Sequence, residues 1–133
     1  MNIFVCIDDN QGMMFNKRRQ SRDAKVMEDV WSMTDKLWIH SFSEKLLENE
    51  SEKLVVDDMF LENAQAGDYG FVENQHLKEF EEKIESLIVY KWNRKYPADF
   101  KLDVDLSAWT LTSQEEFVGS SHEKITKEIY VKG

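Results

Sequence analysis

A short run near the N-terminus most limits what this chain can fold into. In Asn2-Ile-Phe-Val-Cys-Ile-Asp8, positions 3–7 are all apolar, and Asp8-Asp9-Asn10 ends the run. A strand with one wet face alternates apolar and polar residues, whereas a strand covered on both faces does not. The run therefore predicts a buried central strand between two layers. Asp9-Asn10-Gln11-Gly12 then reads as a turn that releases the chain into a loop, Gly12 to Asp23.

The rest of the chain alternates in kind. Ser21 is placed to cap a helix whose inward face is Ala24, Met27, Val30 and Trp31. Lys36–Ser41 reads as a second strand, Ser43 as the cap of a short helix carrying Leu46 and Leu47, and Glu48–Glu52 as a surface loop. Lys53–Asp57 is a third strand. Asp57 or Asp58 caps a helix bearing Phe60, Leu61 and Ala64, which Gly67 ends. Asp68–Val72 is a fourth strand, Leu77, Phe80 and Ile84 mark a further helix, and Ser86–Trp92 is a fifth strand. Trp109–Phe117 and Lys124–Val131 alternate apolar and polar residues across a Gly-Ser-Ser turn, which predicts an antiparallel hairpin. Trp31, Trp38, Phe60, Phe71, Phe80 and Trp92 are expected in the core. The fold class that follows is α/β: a mostly parallel sheet flanked by helices, closed by a C-terminal hairpin.

Composition bounds the function classes. The 133 residues suit one domain, 1–133, with a real core, and the formal net charge is −9. That acidity argues against nucleic-acid binding, which needs a basic face. No apolar run approaches the roughly 20 residues of a membrane span, and the first residues lack a secretory pattern, so a cytoplasmic protein is expected. The lone Cys6 excludes an internal disulfide and is expected to be a buried, inert thiol. His40, His76 and His122 have no metal-ligand spacing, and no Walker loop, nucleophile elbow or Cys–His pair is present.

Several segments carry a family resemblance. Leu87-Ile-Val-Tyr-Lys-Trp-Asn-Arg-Lys-Tyr-Pro-Ala-Asp99 resembles the strand and turn of dihydrofolate reductases that end in aromatic-Pro-Ala-Asp. Asp103-Val-Asp-Leu-Ser-Ala-Trp109 resembles that family's Pro-Glu-Ile-Asp-Leu-Ser-x-Trp segment, and Ile129-Tyr130 its final strand. Ile3–Ile7 is similar to the family's first strand, and Asp9–Gly12 to the Asp-x-x-Gly that opens its mobile active-site loop. The resemblance puts Asp23 near the family's acidic active-site residue and implies a dihydrofolate reductase-like fold; because 133 residues fall short of the family's usual length, one central strand fewer is expected. A strand edge left open in this way would allow a homodimer.

The departures fall on the cofactor elements. The family's Gly-Gly pair, which admits a pyrophosphate, corresponds here to Glu73-Asn74, and its Gly-Arg-x-Thr segment to His40-Ser41-Phe42-Ser43. The Trp-x-Leu-Pro segment becomes Lys17-Arg18-Arg19-Gln20-Ser21, and the pterin-binding threonine expected near Tyr90 is absent. No cofactor is therefore expected, NADPH being disfavoured, and ordinary NADPH-dependent folate reduction is not anticipated.

Three of the four arginines, Arg18, Arg19 and Arg22, cluster in the 12–23 loop. One reading is a site for a small anionic or heterocyclic ligand formed by Asn16, Arg18, Arg19, Gln20, Ser21 and Arg22, with Asp23 as the acid if the protein is an enzyme. In another, the cations balance surface acids, and Asp23 serves the helix dipole. A non-catalytic module docking an acidic partner through Arg18, Arg19 and Arg22 is the alternative from a different class, and a reductase with a rearranged NADPH site is the next. Met13, Met14 and Phe15 would either pack onto the core or form a lid.

Overall fold

The computed structural model describes residues 1–132. In chain order the strands are β1 (Asn2–Ile7), β2 (Gly12–Phe15), β3 (Arg18–Arg19), β4 (Leu37–Ile39), β5 (Leu54–Val56), β6 (Tyr69–Phe71), β7 (Ser86–Lys91), β8 (Phe100–Lys101), β9 (Trp109–Phe117) and β10 (Ile125–Lys132). Two α-helices, α1 (Ala24–Met33) and α2 (Phe60–Asn63), join them, together with 3-10 segments that include Lys45–Lys53 and Lys78–Lys83. Seven strands form the main sheet in the order β5-β4-β6-β1-β7-β10-β9, and β3-β2-β8 form a small second sheet. Strands β5, β4, β6, β1 and β7 are mutually parallel, and β10 runs antiparallel to both β7 and β9.

The N-terminal apolar run lies at the middle of this sheet because both its faces are covered. Ile3, Val5 and Ile7 join one core with Phe60, Leu77, Ile84, Leu87 and Val89. Phe4 points the other way, into a second core with Val26, Val30, Ile88, Tyr90 and Trp92. Burying apolar side chains on both faces stabilises by about 1.5–3 kcal/mol per large residue, so one strand anchors both layers.

The expected helix at residues 21–31 is present, but its register differs. Asp23, not Ser21, is the N-cap, its carboxylate accepting from the Lys25 N–H at 2.9 Å. The fully buried face is consequently Val26 and Val30, while Ala24 is exposed and Met27 and Trp31 are half-buried. Moving a helix start by two residues turns each side chain by about 200° relative to the capping frame. Ser43 caps nothing; its hydroxyl is turned inward to Glu73. The segment around Leu77 and Phe80 winds as a 3-10 turn, and Phe80, Trp38 and Trp31 are only half-buried.

The largest difference lies in the 12–23 loop, half of which is a β-hairpin. Phe15 pairs with Arg18, and between them Asn16 (φ 51) and Lys17 (φ 63) both lie in the left-handed region. Two consecutive positive φ values make a type I′ turn, the form that suits the twist of a two-residue hairpin. Met13 and Met14 are buried in the core and Phe15 is exposed, so the two methionines pack down. That leaves the two open edges of the main sheet at β5 and β9.

Candidate functional site

Four carboxylates, Asp8, Asp99, Glu73 and Asp23, hold the 12–23 segment from its beginning to its end. Asp8, at the end of β1, accepts from the Gly12 N–H at 2.7 Å, the Asn10 N–H at 2.9 Å, the Tyr96 N–H at 3.0 Å and Gln20 Nε2 at 3.2 Å. Burial alone would raise its pKa, but the N–H donors of Tyr96, Gly12 and Asn10 outweigh it and hold the carboxyl below its ordinary value. Asp99 takes the Asn16 N–H at 3.0 Å and steadies the hairpin turn.

The middle of the segment crosses to the end of β6. Arg19 makes a two-pronged ion pair with Glu73, Nε to Oε2 at 2.7 Å and Nη2 to Oε1 at 2.9 Å. Ser43 Oγ donates to the same carboxylate at 2.7 Å, and the guanidinium lies 5.2 Å from the Phe42 ring centroid. Glu73 is 8% exposed, so this is a largely desolvated pair whose lone pairs are shared among three donors. The carboxylate raises the pKa of Arg19 still further. Beneath the pair, Cys6, Met13, Ser21, Phe71 and Trp92 line a cavity of about 20 Å³, room for about one water. Burial, together with the charges of Glu73 and Asp23, pushes the Cys6 thiol well up, so it stays protonated.

The end of the segment is tied to the turn between β9 and β10. Asp23, 2% exposed, accepts from the Ser120 and Ser121 N–H groups, both at 2.9 Å, and from their hydroxyls at 3.1 and 3.2 Å. Its Oδ2 also lies 2.9 Å from His122 Nδ1. A Cβ at Gly119 would run into that same carboxylate, so only glycine lets the turn approach so closely. Burial works to raise the pKa of Asp23, yet the surrounding donors win and hold it far below the usual carboxylate range. Such a carboxylate stays ionised and organises its donors; it has no proton to deliver near neutral pH.

The residues singled out in the sequence thus divide. Arg19, Gln20, Ser21 and Asp23 turn inward and are bonded to Glu73, Asp8, His122 and the Ser120–Ser121 turn respectively. Arg18 and Arg22 are exposed, and Asn16 is a turn residue. Together with Lys17 and Lys45, Arg18 and Arg22 line an open groove of about 500 Å³ that Phe42 and Glu48 also border. Among the described residues, none of these four cations has a carboxylate within 4.0 Å. His122, Glu73 and Ser43 were not legible as partners of this segment. They lie 30 to 101 residues from the groups they bind, and no local pattern marks them. No cluster of three metal-binding side chains occurs among the described residues, and no helix there is long and apolar enough to cross a membrane.

No family model and no curated protein matches the sequence. Among solved structures, a dihydrofolate reductase from Enterococcus faecalis, complexed with NADP(H) and RAB-propyl, superposes with a TM-score of 0.71 over 99% of this chain and 95% of that one. The chain has a dihydrofolate reductase-like fold. Sequence identity across the superposition is 11%, a likeness of fold. On this reductase-like frame, Glu73 follows β6 where the sequence resemblance aligned a glycine pair, and its side chain is bound to Arg19 and Ser43.

Proposed function

We propose that the protein is a divergent dihydrofolate reductase-like protein that binds a small anionic ligand in the groove between residues 17–22 and 45–48, and that it does not carry out NADPH-dependent folate reduction. The observation that carries the reading is the set of four unpaired cations, Lys17, Arg18, Arg22 and Lys45, around one concavity in a chain of net charge −9. Four cations converging on a groove, none within 4.0 Å of a carboxylate among the described residues, outweigh the single Glu48 at its border and focus an attractive field for phosphate or carboxylate. Phe42 at the edge offers a face for a flat ring.

The residues do not fit a nicotinamide dinucleotide. A pyrophosphate needs close approach to free backbone N–H groups, and the second position after β6 presents the Glu73 carboxylate instead. Arg19 spans the space beside it, leaving a cavity of about 20 Å³ over Cys6. A docking role for an acidic protein partner uses the same cations and is separated from the small-ligand reading by experiment.

Thermal unfolding with inorganic phosphate, nucleotides, dihydrofolate and NADPH tests the proposal. A ligand at 100 times its Kd stabilises by about 2.7 kcal/mol, a rise of several degrees in Tm. Stabilisation by an anionic compound is expected, and it should vanish in Arg18→Ala/Arg22→Ala, whose side chains are solvent-exposed. No shift with any compound moves the groove to the partner-docking reading, and NADPH oxidation dependent on dihydrofolate would overturn the exclusion of reduction.

A further inference from the structure

We propose that Ser21, His122 and Asp23 form a nucleophile–base–carboxylate chain that makes this protein reactive toward small carboxylic esters, a chemistry unrelated to hydride transfer. Ser21 Oγ lies 3.0 Å from His122 Nε2, and His122 Nδ1 lies 2.9 Å from Asp23 Oδ2. His122 is 5% exposed, and its imidazole stacks on Trp92 at 4.5 Å between centroids, with 20° between the planes. Its orientation is therefore fixed by packing on one face and by Asp23 at one nitrogen.

The tautomer follows from the partners. Ionised Asp23 can only accept, so Nδ1 carries the proton and Nε2 is left as the acceptor. Two hydroxyls compete for that nitrogen, Ser21 Oγ at 3.0 Å and the Tyr96 hydroxyl at 3.2 Å. When the tyrosine donates elsewhere, the base belongs to Ser21. Such an arrangement, a hydroxyl on a base that a third group orients, is what activates a serine wherever it occurs, irrespective of fold.

The reaction balances with water as the only co-reactant. Ser21 Oγ forms a bond to the ester carbonyl carbon as its proton passes to His122 Nε2. The C–O bond to the alcohol breaks, and the alcohol leaves with that proton. Water then attacks the acyl-serine by the same route, restoring Ser21 and releasing the acid. Arg22 lines the same cavity as Ser21 and, unlike Arg19, has no carboxylate within 4.0 Å among the described residues, so its charge is the one free to face a developing oxyanion. Ser21 is half-buried and borders a cavity with room for about one water, so the scheme is confined to small acyl groups that approach from the solvent side. Asp23 touches no substrate in this scheme and acts as a positioning residue.

The test uses the intact chain with a fluorophosphonate probe and p-nitrophenyl acetate. Neither probe carries a negative charge, so neither competes as an anion for the cationic groove, although Arg22 borders both sites. A covalent adduct mapped to Ser21 by tandem mass spectrometry is expected, absent in Ser21→Ala and formed at least about 100-fold more slowly in His122→Gln. Tyr96→Phe, which removes the competing donor, should label at least as fast as the unaltered protein. A folded protein with no adduct at Ser21, or labelling that His122→Gln leaves unchanged, overturns the proposal and leaves the chain as a tether for the hairpin turn.

Discussion

Glu73 decides which of the clustered arginines is free to meet a ligand. A carboxylate in a mostly buried position is costly unless it is paired and fully hydrogen-bonded, and here Arg19 and Ser43 provide that. The consequence is local and specific: Arg19, one of three clustered arginines, is taken out of the pool of ligand-binding cations. Removing Arg19 leaves the mostly buried Glu73 carboxylate without its partner. Arg19→Met should therefore cost about 3–5 kcal/mol of unfolding free energy in urea titration, whereas replacing both members, in Arg19→Met/Glu73→Leu, should recover most of it. If the single variant were as stable as the unaltered protein, the pair would be a surface contact and the cavity reading would fail with it.

The β2–β3 hairpin is the element that reshapes the 12–23 segment. It was not evident in the sequence because its turn reads Asn16-Lys17, where the second position of a type I′ turn usually carries glycine. Lysine at φ 63 sits in the left-handed region at a cost of about 1–2 kcal/mol, which the flanking pairs and the Asp99 contact offset. Lys17→Gly relieves that strain, and thermal unfolding should show a gain of about 0.5–1 kcal/mol. Because Lys17 also borders the cationic groove, the same variant should bind an anionic ligand more weakly. Stability and binding would thus move in opposite directions, an outcome that a purely structural role for Lys17 does not give.

Across the whole molecule, acid response separates the surface from the pinned carboxylates. At pH 7 the chain carries −9, and lowering the pH toward the pI near 4.8 relieves self-repulsion. Asp8 and Asp23 behave differently, both held below their ordinary value of 3.8 in the folded state. A depressed folded-state pKa stabilises fully above the unfolded value and is lost as pH falls toward the folded one. The urea midpoint should hold or rise from pH 7 to 5, then fall steadily below about pH 4. The fall should be shallower in Asp23→Asn, which is less stable at neutral pH but has one pinned carboxylate fewer. An equal slope in both proteins would remove Asp23 from the account.

The sequence by itself determined the layered sheet, because hydrophobic periodicity is a local property. A continuous apolar run must be covered twice, and alternating strands at the end must pair as a hairpin, so β1, β7, β9 and β10 were legible from their own residues. It also marked residues 17–22 as chemically unusual. What only the tertiary structure decided is which of those side chains face inward and what they meet. Arg19 finds Glu73 across 54 residues, Ser21 finds His122 across 101, and Asp23 meets His122 across 99. Such pairings depend on sheet order and on the two-residue shift of the helix cap, and a linear pattern carries neither.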